Sequence, residues 1–108
     1  MPNSGASLAA AAAPANGSSI TPTNPSVGAG VTMQASSTVN PTADVYLEAT
    51  VDGTNWVTLA YLTLTPTVTM QLILANTNTG YCFVSFRARL ASITGGTVSA
   101  SIAIPQPT

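Results

Sequence analysis

Residues 43–64 read ADVYLEATVDGTNWVTLAYLTL and carry the strongest structural signal in the chain. Val45, Leu47, Ala49 and Val51 alternate with Tyr46, Glu48 and Thr50. Such a period of two places one face of an extended strand in a core and the other in solvent. Asp52-Gly53 supplies the turn: glycine takes a positive φ without a side-chain clash, and the aspartate carboxylate can cap the backbone amides nearby. Trp56-Val-Thr-Leu-Ala-Tyr-Leu62 then returns as a second strand.

The same period runs outward from this hairpin. It recurs in Val31, Met33, Ala35, then in Val68, Met70, Leu72, Leu74, then in Cys82, Val84, Phe86, Ala88, Leu90, and last in Val98, Ala100, Ile102, Ile104. Asn40-Pro41, Pro66, Asn76 to Gly80 and Gly95-Gly96 punctuate these runs as turns. No helical stripe competes. Six half-buried strands predict an all-β fold, a single antiparallel β-sandwich or jelly-roll-like domain over residues 30–108. The pattern leaves sandwich against barrel, and the strand order, open.

Residues 1–29 behave differently. MPNSGASLAAAAAPANGSSITPTNPSVGA holds Pro2, Pro14, Pro22 and Pro25, no charge, and Leu8, Ile20 and Val27 as its sizeable apolar side chains. So little apolar surface does not offset the entropy of ordering the segment alone. Ala9 to Ala13 is too short to nucleate a helix. The segment reads as an extended low-complexity N-terminal arm, either a flexible linker or a segment that orders on a partner through Leu8, Ile20 and Val27.

Composition narrows the function classes. Asp44, Glu48, Asp52, Arg87 and Arg89 are the only fully charged side chains, giving a net charge of −1 over 108 residues. Histidine, the commonest general base and metal ligand, is absent. Cys82 stands alone, so the chain forms no internal disulfide and no zinc cage; its alternation with apolar positions reads as a small buried hydrophobe. Two arginines do not neutralise a run of phosphates, which argues against nucleic-acid binding. Scattered Ser and Thr have no base to activate them. The expectation is a protein without enzymatic activity, cofactor or metal.

Mean hydropathy is +0.36, yet the longest apolar run, Leu8 to Ala13, ends at Pro14, far short of the ~18 residues of a membrane span. No basic residue precedes that run, so it makes a poor secretory signal, and Asn16-Gly-Ser reads as an incidental glycosylation sequence. A near-neutral chain lacks the repulsion that keeps small domains apart. It also lacks lysine, the usual guard of an exposed sheet edge. Free edges are therefore expected to pair with a neighbouring chain or to be covered by the arm.

Val45-Tyr-Leu-Glu-Ala-Thr-Val-Asp-Gly-Thr-Asn-Trp56 and Tyr81-Cys-Phe-Val-Ser-Phe-Arg-Ala-Arg-Leu-Ala-Ser-Ile-Thr-Gly-Gly-Thr-Val98 together resemble small β-sandwich virion proteins of tailed bacteriophages. The resemblance covers roughly residues 31–104 and is greatest to capsid decoration, or cement, proteins. It implies a homotrimer on the outer capsid surface, with the major capsid protein as partner and the arm stapling neighbouring capsid subunits. The alternatives are a carbohydrate- or receptor-binding module of a head or tail fibre, and a tail accessory protein.

Individual residues carry two readings each. Asp52 and Gly53 form the turn; a calcium loop from Glu48, Asp52 and Asn55 offers too few oxygens. Trp56 is expected in the core or at its rim rather than as a sugar-stacking platform with Tyr46, Tyr61 and Tyr81. Arg87 and Arg89 share one strand face. They pair with Glu48 or Asp44, or meet another subunit, where arginine is enriched. Gly95 and Gly96 are structural turn residues.

Overall fold

The computed structural model describes residues 3–21, 30–38, 42–68, 70–76 and 85–104. Among them run eight strands: β1 (Asn3–Ala11), β2 (Ala15–Asn16), β3 (Gly30–Thr38), β4 (Thr42–Thr50), β5 (Trp56–Leu64), β6 (Met70–Asn76), β7 (Ser85–Thr94) and β8 (Thr97–Ile104). They form two four-stranded sheets, the first in the order β1-β8-β3-β6 and the second in the order β2-β7-β4-β5. β1 pairs with β8, β2 with β7, β3 with β6 and β4 with β5, all antiparallel. Nested pairing of this kind is one long hairpin rolled into two sheets, the eight-stranded jelly roll. The choice between sandwich and barrel falls to the sandwich.

The alternation sets which face is buried. Val45, Leu47 and Ala49 of β4 meet Phe86, Ala88 and Leu90 of β7, Val31, Met33 and Ala35 of β3, and Val98, Ala100, Ile102 and Ile104 of β8 in one core. Met33, Leu47, Leu64, Leu90 and Ile102 are its largest fully buried side chains. Each contributes about 1.5–3 kcal/mol by leaving water. The six strands expected from the period are all present. Cys82, Val84, Tyr81, Val27 and the Asn40-Pro41 turn lie outside the described residues, as does most of the turn from Asn76 to Gly80.

The boundary expected near residue 30 does not divide two bodies. Residues 3–11 and 15–16 are strands of the sandwich itself, and Ile20 continues the pairing by a bridge to Phe86. Leu8, expected to seat on a partner, is only 4% exposed and belongs to this chain's own core. The segment is extended, as expected, and it covers the β7 and β8 edges. Its ordering is offset by backbone pairing rather than by side-chain burial. That is why apolar content alone misjudged it.

One seam ties the segment to both sheets. The Ser7 hydroxyl donates to the Ser18 carbonyl at 2.7 Å and accepts from the Ala88 amide at 2.8 Å. The Gly17 amide donates to the Ala88 carbonyl, and the Ser18 amide to the Ser7 carbonyl. A Cβ on Gly17 would collide with Ser7 and with the Ala88 carbonyl, so only glycine fits the crossing. At the other end, Gly95 (φ +74°) and Gly96 (φ +67°) make the two-residue connection from β7 in the second sheet to β8 in the first. Glycine adopts such positive φ angles without a Cβ clash.

Candidate functional site

The outer face of the second sheet gathers four of the five charged side chains: Asp44, Glu48, Arg87 and Arg89. Strand pairing explains how. Glu48 of β4 lies opposite Arg87 of β7, and Tyr46 lies opposite Arg89. The Arg87 Nε donates to Glu48 Oε1 at 2.9 Å, and the Arg89 Nε donates to Oε2 at 2.7 Å. Glu48 is 6% exposed, a carboxylate taken out of water and compensated by two guanidinium groups.

Aromatic rings extend this triad in both directions. The Arg87 guanidinium sits 4.2 Å above the centre of the Trp56 ring, and that of Arg89 sits 4.7 Å above Tyr46. Tyr46 in turn meets Tyr61, its cross-strand partner on β5, with ring centroids 5.7 Å apart and planes tilted by 37°. The line runs Trp56, Arg87, Glu48, Arg89, Tyr46, Tyr61. Asp44 stands at its side, accepting from the Thr63 hydroxyl at 2.8 Å and the Ser92 hydroxyl at 3.0 Å.

Trp56, expected in the core or at its rim, lies half-buried on the outer face of the second sheet. It pairs with Thr50, which shares the outward face of β4 with Glu48, so its ring is half-buried beneath Arg87. The core is filled by aliphatic side chains together with Met33 and Phe86 instead. The ring face shielded by Arg87 is closed to a stacked sugar, whereas Tyr61 is 63% exposed. Of the two readings for the arginines, pairing with Glu48 is the one realised within the chain.

Asp52 caps its own turn. Its Oδ1 accepts from the Asn55 amide at 2.7 Å, the Thr54 amide at 2.8 Å and the Thr50 hydroxyl at 3.0 Å, and its Oδ2 from the Asn55 side chain at 2.7 Å. The Asn55 amide first, then that of Thr54, holds the Asp52 carboxyl well below the usual carboxylate range. Gly53 takes φ +81°. Glu48 faces the arginines, and both Asp52 oxygens are taken up by the turn. Among the described residues, no three or more His, Cys, Asp or Glu side chains converge on a point where a metal ion would sit.

The outer face of the first sheet is chemically opposite. Thr32, Gln34 and Ser36 of β3 and Thr97, Ser99, Ser101 and Ala103 of β8 point outward, with no ionisable group among these residues. Gly5, Ala6, Thr32, Gln34, Ser101 and Ala103 line a shallow depression of about 280 Å³ there. Ser7 and Gly17, which build the N-terminal seam, escaped sequence reading; each is a common small residue whose role exists only once β1 crosses residues 17–18. Of the residues expected to contact a partner, Ile20 is half-buried beside Phe86, and Val27 is outside the described residues.

No family model matches this chain, and no curated protein matches its sequence. Among solved structures, the crystal structure of the SPBc2 prophage-derived protein YomS is similar, with a TM-score of 0.62 over 96% of this chain and 93% of that one, at 14% identity. At that identity the likeness is one of architecture: this chain and YomS share a β-sandwich fold.

Proposed function

We propose that this chain is a non-enzymatic structural protein of a phage virion. It acts as a capsid decoration protein that binds the major capsid protein on the outer surface of the shell and associates with further copies of itself. One observation carries the reading. The charged side chains are spent on one another, on hydroxyl groups of the same sheet and on one turn, which leaves the outward positions of β3 and β8 in the first sheet as a neutral strip of Thr, Gln, Ser and Ala. Such a surface is suited to contacts made by shape, backbone and hydroxyl groups rather than by ion pairing. The shared fold with a prophage-derived protein supports a phage setting, and jelly rolls recur in capsid proteins. Repetition on a lattice lets many weak neutral contacts add up.

The test is to label the chain in purified virions and locate it by cryo-electron microscopy. Density on the outer capsid surface supports the proposal; absence from virions, or density confined to the tail, refutes it. A second reading, a glycan- or receptor-binding module, is favoured by the exposed Tyr61 ring beside Tyr46. It predicts tyrosine and Trp56 fluorescence changes on adding glycans, and loss of those changes in Tyr61→Ala.

A further inference from the structure

The N-terminal segment behaves as one piece. Ser7 and Ser18 exchange two hydrogen bonds of 2.7 Å, so β1 and the stretch after β2 hold each other. Gly5 lies against Ile20, close enough that a Cβ would stand 3.1 Å from its Cδ1. Residues 3–21 therefore seat and leave together.

This piece is lightly anchored. Leu8 is its one large core side chain, and Ile20 is half-buried. The β1–β8 register shifts twice, between Ala6 and Leu8 and between Leu8 and Ala11. Ala10 sits at φ +49°, a left-handed conformation that costs a non-glycine residue about 1 kcal/mol or more.

The seat it occupies is selective. The Ala88 amide needs the Ser7 hydroxyl, and the crossing at Gly17 admits no side chain. If the piece left, the β7 and β8 edges would lie open without a lysine to guard them. The segment that meets each of these requirements is the same segment of a second copy. Residues 22–29 join the piece to β3, and a chain of that length spans up to about 30 Å, comparable with the molecular dimensions of 38 × 27 × 22 Å.

We infer that residues 3–21 exchange between copies of this chain: they close their own sandwich in dilute protein and close a neighbour's sandwich when copies are crowded. The contacts are the same in both arrangements, so the balance turns on concentration. A short tether gives the segment's own sandwich an effective concentration of about a millimolar. Neighbours held on a lattice compete at that level, and a cyclic exchange is compatible with any ring of copies. The inference does not require the capsid assignment, because it is read on the purified protein.

Ala6 of β1 and Ser101 of β8 are Cα partners on the outer face, both exposed. The experiment places cysteines there in a chain whose Cys82 is replaced by serine. The double variant Ala6→Cys/Ser101→Cys should form an intrachain disulfide in redox buffer at about micromolar protein. The single variants Ala6→Cys and Ser101→Cys, mixed and oxidised at about 1 mM, should give the mixed dimer in excess over the two-to-one statistical yield, and at about 1 µM should give none of that excess. Mass spectrometry with one variant isotopically labelled separates the mixed dimer from the homodimers. A statistical mixture at both concentrations, while the double variant closes on itself, overturns exchange. Failure of the double variant to close overturns the pairing on which exchange rests.

Discussion

The two outer faces of this sandwich are built from the same strand alternation and end up as chemical opposites. On the second sheet, a buried carboxylate, two arginines and three aromatic rings form a continuous line of contacts. On the first, the outward positions of β3 and β8 carry only Thr, Gln, Ser and Ala. In a chain with five charges, the difference teaches that electrostatics here serves the fold: the charged groups face one another, neighbouring hydroxyls and one turn. An ordinary domain spreads charge over its surface for solubility; this one spends charge on itself.

The comparison breaks most visibly at Glu48. Glu48→Ala strands two guanidinium groups side by side over half-buried rings. The loss should be about 2–4 kcal/mol by urea denaturation, below the full cost of a broken buried pair because both arginines keep some contact with water. Ser101→Ala on the opposite face should stay within about 0.5 kcal/mol. Equal effects at the two positions would erase the distinction.

Arg87→Ala removes one ion pair and one cation–π contact and should cost about 1–2 kcal/mol. It should also shift Trp56 emission to the red as the ring gains water. An unmoved spectrum would mean that the guanidinium does not shield the indole. Gly95→Ala, in the connection that joins the two sheets, meets no neighbouring atom within 4 Å. Its cost of about 1 kcal/mol is therefore conformational alone, from a positive φ that alanine resists.

The smallest expected effect is the acid sensitivity of the β4–β5 turn. The folded-state pKa of Asp52 is lowered, so as pH falls the unfolded chain takes up this proton first. The stabilisation is complete above the unfolded value of about 3.9 and is lost as pH falls through the lower folded value. Asp52→Asn should flatten that part of the melting-temperature curve below about pH 4. An identical curve for both proteins would detach the turn from the acid response.

The legible part of the fold was the part with period two. β3, β4, β6, β7 and β8 each carry apolar side chains at alternate positions, and each is a strand; β5 was legible as the return from the Asp52-Gly53 turn. β1 and β2 were hidden because Asn3–Ala11 offers mostly small side chains. Its register also shifts twice, so inward positions follow no fixed period. The pairing of Arg87 and Arg89 with Glu48 was readable as one of two outcomes, since the strands carrying them were already placed. The covering of Trp56 by Arg87 was not readable, because it depends on which face β5 turns outward. Ser7 and Gly17 gain their roles from a crossing of segments that no local pattern announces.

The central claim is that neutral surface, rather than charge, holds this protein to its partners. Retention on purified virions should therefore be followed at low salt and at about 1 M NaCl, where the Debye length falls to about 3 Å. The account predicts that the protein stays bound equally well, or better, at high salt. Stepwise release as salt rises would show ionic attachment and contradict it.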